Sequence, residues 1–150
     1  MEENNLTYIL VEPDRSPDIE SSKKDFMLYR LIGDHPEDLA GIPYKGSVIL
    51  YNSRGGEFDW PMNRFLTFED MRIMAICGSL VIVNGDKDGY TSLTDEQLKA
   101  FAEEFKYPHK FVTMFGKLMI FEQRNLTEYN LMQAIDIDTQ EAEDGNESEC

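Results

Sequence analysis

The sequence has little of what makes catalytic and metal sites easy to see. It holds two cysteines, two histidines and one tryptophan in 150 residues. No His-x-His, Cys-x-x-Cys or His-Glu-x-x-His pattern occurs, which argues against a conventional zinc site. His35 and His109 each adjoin a proline, Pro36 and Pro108. There is no Gly-x-Ser-x-Gly elbow and no Gly-rich phosphate loop ending in Lys and Ser or Thr. Two cysteines make no disulfide framework. Cys77, in an apolar segment, reads as a buried free thiol, and Cys150, the last residue, as an exposed one. That pairing fits a reducing compartment.

Long apolar runs are missing too. None approaches the roughly 18 to 20 residues that span a bilayer. The start, Met1-Glu2-Glu3-Asn4-Asn5, is acidic and polar, unlike a secretory signal. The expected address is therefore cytoplasmic or otherwise intracellular, with no membrane partner. The acceptor patterns for glycosylation at Asn5, Asn125 and Asn146 then read as chance.

Basic residues are the last shortage. Lys and Arg number 14 against 29 Asp and Glu, for a net charge of -15. Such a surface repels phosphates, so direct nucleic-acid binding is disfavoured. The excess sits at the ends. Residues 136–150 carry Asp136, Asp138, Glu141, Glu143, Asp144, Glu147 and Glu149 with no base. Residues 1–20 carry six acids and one base, Arg15. After Ile137 the tail offers Ala142 as its one apolar residue before Cys150. It has too little to bury to offset its ordering entropy, so 136–150 is expected to be a disordered acidic tail behind a single domain at 1–135.

The body shows mixed periodicity. Residues 7–11, 26–32, 47–52 and 80–83 read as strands, and 57–60 as a hairpin return after Gly55-Gly56. Residues 111–115 and 118–121 flank Gly116-Lys117, the pattern of a type II′ hairpin. Three helices are expected. One starts at Thr67 with Phe68, Met71, Met74 and Ala75 at helical spacing, and ends at Gly78. A second follows the capping box Thr94-Asp95-Glu96-Gln97. A third follows Asn125 and Glu128, with Leu126, Tyr129, Met132 and Ile135 at every third position. The order predicts an α+β fold: a largely antiparallel sheet of about five or six strands with about three helices packed on it.

Residues 84–95 form the sharpest local pattern. Asn84, Asp86, Asp88 and Asp95 fall at positions 1, 3, 5 and 12, with Gly89 at 6. The segment resembles an EF-hand loop, which implies calcium held by those four side chains. Asn at 1, Asp at 12 and a strand before the loop suit a plain strand-to-helix turn instead. Glu57 and Asp59 would share one face of an extended segment, where a divalent ion or acid–base pair is conceivable, as is a solvated edge.

Trp60, Tyr44 and Tyr51 are the aromatic candidates for a contact surface, since Trp and Tyr are enriched at interface hot spots. With no catalytic motif, the leading expectation is a small acidic non-enzymatic interaction protein that docks on a basic surface of a protein partner. Inhibitors, immunity-type proteins and viral or phage accessory proteins have this size and charge. Trp60, Tyr44, Tyr51, Glu141, Glu143 and Asp144 would carry the contact, and no cofactor is required. The alternatives are the calcium-binding module, an enzyme with a dispersed carboxylate site, and a self-assembling structural subunit that buries the apolar hairpin at 111–121.

Overall fold

The computed structural model describes residues 5–86 and 88–136. Strand β1 (Asn5–Val11) is an interior strand of the main sheet and is buried on both faces over most of its length. It pairs antiparallel with β2 (Asp18–Lys23) on one side and with β7 (Leu80–Asp86) on the other. On from β7 come β4 (Ser47–Asn52) and β3 (Leu39–Tyr44), also antiparallel. A short strand, β8 (Gly89–Thr91), folds back on the end of β7. The sheet order is therefore β2-β1-β7-β4-β3.

Both faces of this sheet are covered, which explains the continuous apolar runs in β1, β4 and β7. Ile9, Val11, Ile49, Leu80 and Ile82 point to one face. There they meet α1 (Asp95–Glu104), through Phe101 and Phe105, and the hairpin of β5 (Met62–Thr67) and β6 (Ile73–Cys77), through Leu66 and Ile76. Tyr8, Leu50, Val81 and Val83 point to the other face, against Leu28 and Ile32. A separate meander of β9 (His109–Met114), β10 (Lys117–Gln123) and β11 (Tyr129–Asp136) follows α1.

The α+β expectation with three helices is overturned. The described residues hold eleven strands in three sheets and one α-helix, so the chain is mostly β. The expected helix from Thr67 is the β5–β6 hairpin. Its turn is closed by the Phe68 N–H donating to the Arg72 carbonyl at 2.9 Å, with Met71 left-handed at φ 74°. The Asp70 carboxylate accepts the Arg72 N–H at 3.1 Å, a turn contact rather than a helix N-terminal one. Apolar residues around a turn had mimicked helical spacing.

The expected third helix is β11. Asn125 does accept the Glu128 N–H at 2.9 Å, and it also accepts the Thr127 N–H at 2.9 Å. Both contacts suit a turn as well as a cap. The chain then pairs with β10, whose apolar side chains offer cross-strand neighbours that an isolated helix would lack.

Residues 26–32 are not a strand. A 3₁₀ turn at Leu28–Leu31 lays Leu28 and Ile32 on the sheet. Residues 57–60 are turns closed by the Trp60 N–H on the Gly55 carbonyl at 3.1 Å. The β9–β10 turn is centred on Phe115 and Gly116, at φ 55° and 73°, one residue earlier than read and of type I′ character. β2 and β3 had no strong strand pattern, being polar in one case and interrupted by Gly41 and Pro43 in the other. Helix α1 and its capping box are as expected. Cys77 is not the free thiol expected. It is disulfide-bonded, which removes its argument for a reducing compartment. No helix of the described residues is long and apolar enough to cross a membrane. The acidic tail after Asp136 lies outside the described residues.

Candidate functional site

Two turns on the α1 side of the sheet stand apart and leave a cleft. The β3–β4 turn is Lys45-Gly46, with φ 49° and 83°, a two-residue hairpin connection that needs positive φ at both positions. The β5–β6 turn supplies Glu69, Asp70 and Arg72. Between them lies a cleft of about 610 Å³ with Tyr44, Lys45 and Ser47 on one wall and Thr67, Phe68 and Arg72 on the other. A smaller cavity of about 220 Å³ adjoins it, lined by Tyr51, Ser53, Ile73 and Met74 and sharing Phe68 and Arg72.

The cleft pairs its own charges. Tyr44 donates its hydroxyl to Glu104 at the end of α1, and Lys45 Nζ donates to the same carboxylate at 3.1 Å. The Tyr44 ring sits edge-on to Phe68 at 5.7 Å and 6.1 Å from Phe105. Burial, followed by the bond to Glu104 and its charge, raises the Tyr44 phenol well above its ordinary range. Tyr44 is therefore a locked donor. Across the cleft, Arg72 Nε donates to Asp70 at 2.8 Å and lies over the Phe68 ring at 5.0 Å. The backbone N–H of Arg72, then its side chain, hold the Asp70 carboxyl below its usual range. The result is an aromatic floor under paired charges of both signs. It suits contact with another molecule more than proton transfer.

Behind the cleft, Ser47 Oγ donates to Asn84 Oδ1 at 2.7 Å. Asn84 Nδ2 donates to Gln97 Oε1 at 2.7 Å and to the Ser92 carbonyl at 3.1 Å. The first of the four predicted calcium ligands is thus spent inside a structural network. Asp86 accepts the Asp88 N–H at 2.9 Å in the β7–β8 turn, Asp88 is exposed, and Asp95 opens α1. The segment is a hairpin, with Asn84 opposite Thr91 and Asp86 opposite Gly89. Among the described residues no group of three or more His, Cys, Asp or Glu is placed to hold a metal.

The aromatic candidates are split. Tyr44 is buried and Tyr51 half-buried, and both belong to the core on the α1 face. Trp60 packs elsewhere, 5.1 Å from Phe58 and against Gly78. Glu141, Glu143 and Asp144 lie outside the described residues. Glu57 is paired with Arg54 at 3.0 Å, and Asp59 sits in a left-handed turn, so the two carboxylates do not share a strand face.

Sequence reasoning missed Lys45, Phe68, Arg72 and Glu104. Lys45-Gly46 between two apolar runs was the available signal for the first. It also missed Arg64, fully buried, whose Nη2 donates to the carbonyls of Arg15 at 2.7 Å and Phe105 at 2.8 Å.

The model of a family described as a domain of unknown function, DUF3846, matches residues 6–106. That span runs from β1 through α1 and contains the whole cleft, while the β9–β11 meander lies beyond it. No curated protein and no solved structure matches.

Proposed function

The chain belongs to the DUF3846 family, and from that premise we propose that it is a non-enzymatic interaction protein that docks through acidic surface on a basic partner protein. One observation carries the reading. Five cations are turned onto the chain's own carboxylates: Lys45 to Glu104, Arg54 to Glu57, Arg72 to Asp70, Lys110 to Asp14 and Arg124 to Glu122. Asp86, Asp88, Asp95, Glu96 and Glu103 meanwhile stand exposed on the β7–β8 turn and the outer side of α1. The Asn84–Gln97 bond holds that turn and that helix side by side. Lys99 and Lys106 are exposed there as well, so the surface is acidic by excess, and an excess of one sign speeds encounter with a partner of the other.

The test captures binding partners on the full chain and on two full-length variants, washed at low and high salt. One variant is Glu96→Lys with Glu103→Lys. The other is Glu141→Gln, Glu143→Gln and Asp144→Asn. A basic partner held by the parent, weakened by salt and lost by one variant supports the reading. Binding indifferent to salt and to both variants overturns it.

A further inference from the structure

We propose that Cys77 is bonded to Cys150, and that this bond is a redox latch fixing the far end of the acidic segment 137–149 to the family domain. The cysteines carry this, not the acidic docking above, so the two readings are tested apart. Cys77 is disulfide-bonded, and among the described residues there is no free cysteine. The chain holds two cysteines, which leaves Cys150 to complete the bond.

The other conceivable thiol is Cys77 of a second copy. The packing around Cys77 argues against it. Cys77 is 5 % exposed at the end of β6. On one side a Cβ on Gly55 would lie 2.6 Å from the Cys77 carbonyl oxygen and 3.2 Å from its Cβ. The next residue, Gly78, is closed off by Trp60. A disulfide needs the two Cα atoms within about 7 Å. Two folded copies cannot bring two such buried positions that close. The chain from Asp136 to Cys150 reaches about 46 Å when extended. That is about three times the radius of gyration, about 15 Å, of a compact chain of this length, so length does not forbid the join.

The latch closes by thiol–disulfide exchange with a small disulfide such as glutathione disulfide. Cys77 is buried, so the first attack falls to Cys150. The Cys150 thiolate attacks one sulfur of the oxidant, and one glutathione leaves. The Cys77 thiolate then attacks the Cys150 sulfur, and the second glutathione leaves. Two protein thiols lose two electrons and two protons, and the oxidant gains them as two glutathione thiols. When the latch is open, the segment is held by β11 alone. When it is closed, both ends are held, which shortens the reach of Asp138, Glu141, Glu143, Asp144, Glu147 and Glu149.

The test equilibrates the full chain in glutathione buffers from reducing to oxidising, alkylates it and digests it with trypsin without reduction. The expected product joins fragments 73–87 and 125–150, and dithiothreitol separates them. The closed loop 77–150 restricts the unfolded chain, so reduction should lower Tm by several degrees. Cys150→Ser should keep the parent's circular dichroism spectrum, melt with the reduced parent and ignore reductant. Two alkylated thiols at every glutathione ratio overturn the proposal. So does a disulfide joining two copies of fragment 73–87, or an oxidised parent whose Tm reductant leaves unchanged.

Discussion

His109 Nδ1 accepts the backbone N–H of Phe65 at 3.0 Å, so the first residue of the meander bonds to the open edge of β5 in the family domain. Burial, and secondly the charge of Arg64, push the imidazole down to about 4, with Glu122 opposing. The ordinary value is about 6.5. The unfolded chain thus takes a proton on His109 that the folded chain refuses, and stability falls as pH falls. The contribution is complete above about pH 6.5 and gone below about pH 4. It amounts to roughly 3 kcal/mol, more than half of it lost by pH 5. Urea unfolding between pH 7 and pH 5 should show the slope, and His109→Gln should flatten it. An equal slope in the variant would assign the proton elsewhere.

Arg64 sits between three segments with no carboxylate bonded to it. Its Nη1 donates to Asn63 Oδ1 at 2.9 Å, and its Nη2 bonds tie the loop after β1 to the end of α1. Burial lowers its pKa to about 10. The Phe105 carbonyl lies at the negative end of the helix dipole, which favours a cation there. Lysine offers no such fork, so Arg64→Lys should cost about 1.5 to 3 kcal/mol, and Arg64→Ala at least that much through the added cavity. Chemical denaturation reads both. A neutral Arg64→Ala would mean that the three carbonyl and amide contacts carry no net stability.

Gln97 does two jobs at once, and its substitution should cost more than loss of the cap residue. Its side chain accepts the Thr94 N–H at 2.9 Å and the Asn84 amide at 2.7 Å. Thr94→Ala removes one cap contact, worth about 1 kcal/mol. Gln97→Ala also strips Asn84 of an acceptor in a half-buried place, adding about 1 to 3 kcal/mol. Thermal melts of both and of the double variant check this. The double should cost less than the sum, since the two share the capping box.

The helix was legible for the same reason. Thr94 and Gln97 satisfy each other's backbone locally, so four residues of sequence state the outcome. β1, β4 and β7 were legible from apolar runs bounded by turn residues. The 67–77 and 125–135 segments were not, because an apolar residue every third or fourth position also arises when a strand meets a turn. Asp70 and Asn125 bond to nearby backbone in either setting, and only the cross-strand partners decide between them. The cleft was half legible: Tyr44 stood out as an aromatic, but its partners Phe68 and Glu104 come from distant segments. Arg64 and His109 gave no local sign, because their burial depends on Arg15, Phe105 and Phe65 converging.

Gly78 and Trp60 offer the most direct test of the packing. Gly78 has φ +87°, and a Cβ there would lie 2.6 Å from Trp60 Cε3. Alanine is strained at that backbone angle and has no room beside the indole. Gly46 is the matched control, with φ +83° and nothing near its missing Cβ. Gly46→Ala should therefore cost the backbone strain alone, about 1 kcal/mol. Gly78→Ala should cost more, because the ring must move as well. Trp60 is the chain's one tryptophan, so its emission reports that movement without interference. A shifted emission maximum in Gly78→Ala with an unshifted one in Gly46→Ala is the expected pair. Equal costs and equal spectra would place Trp60 away from Gly78.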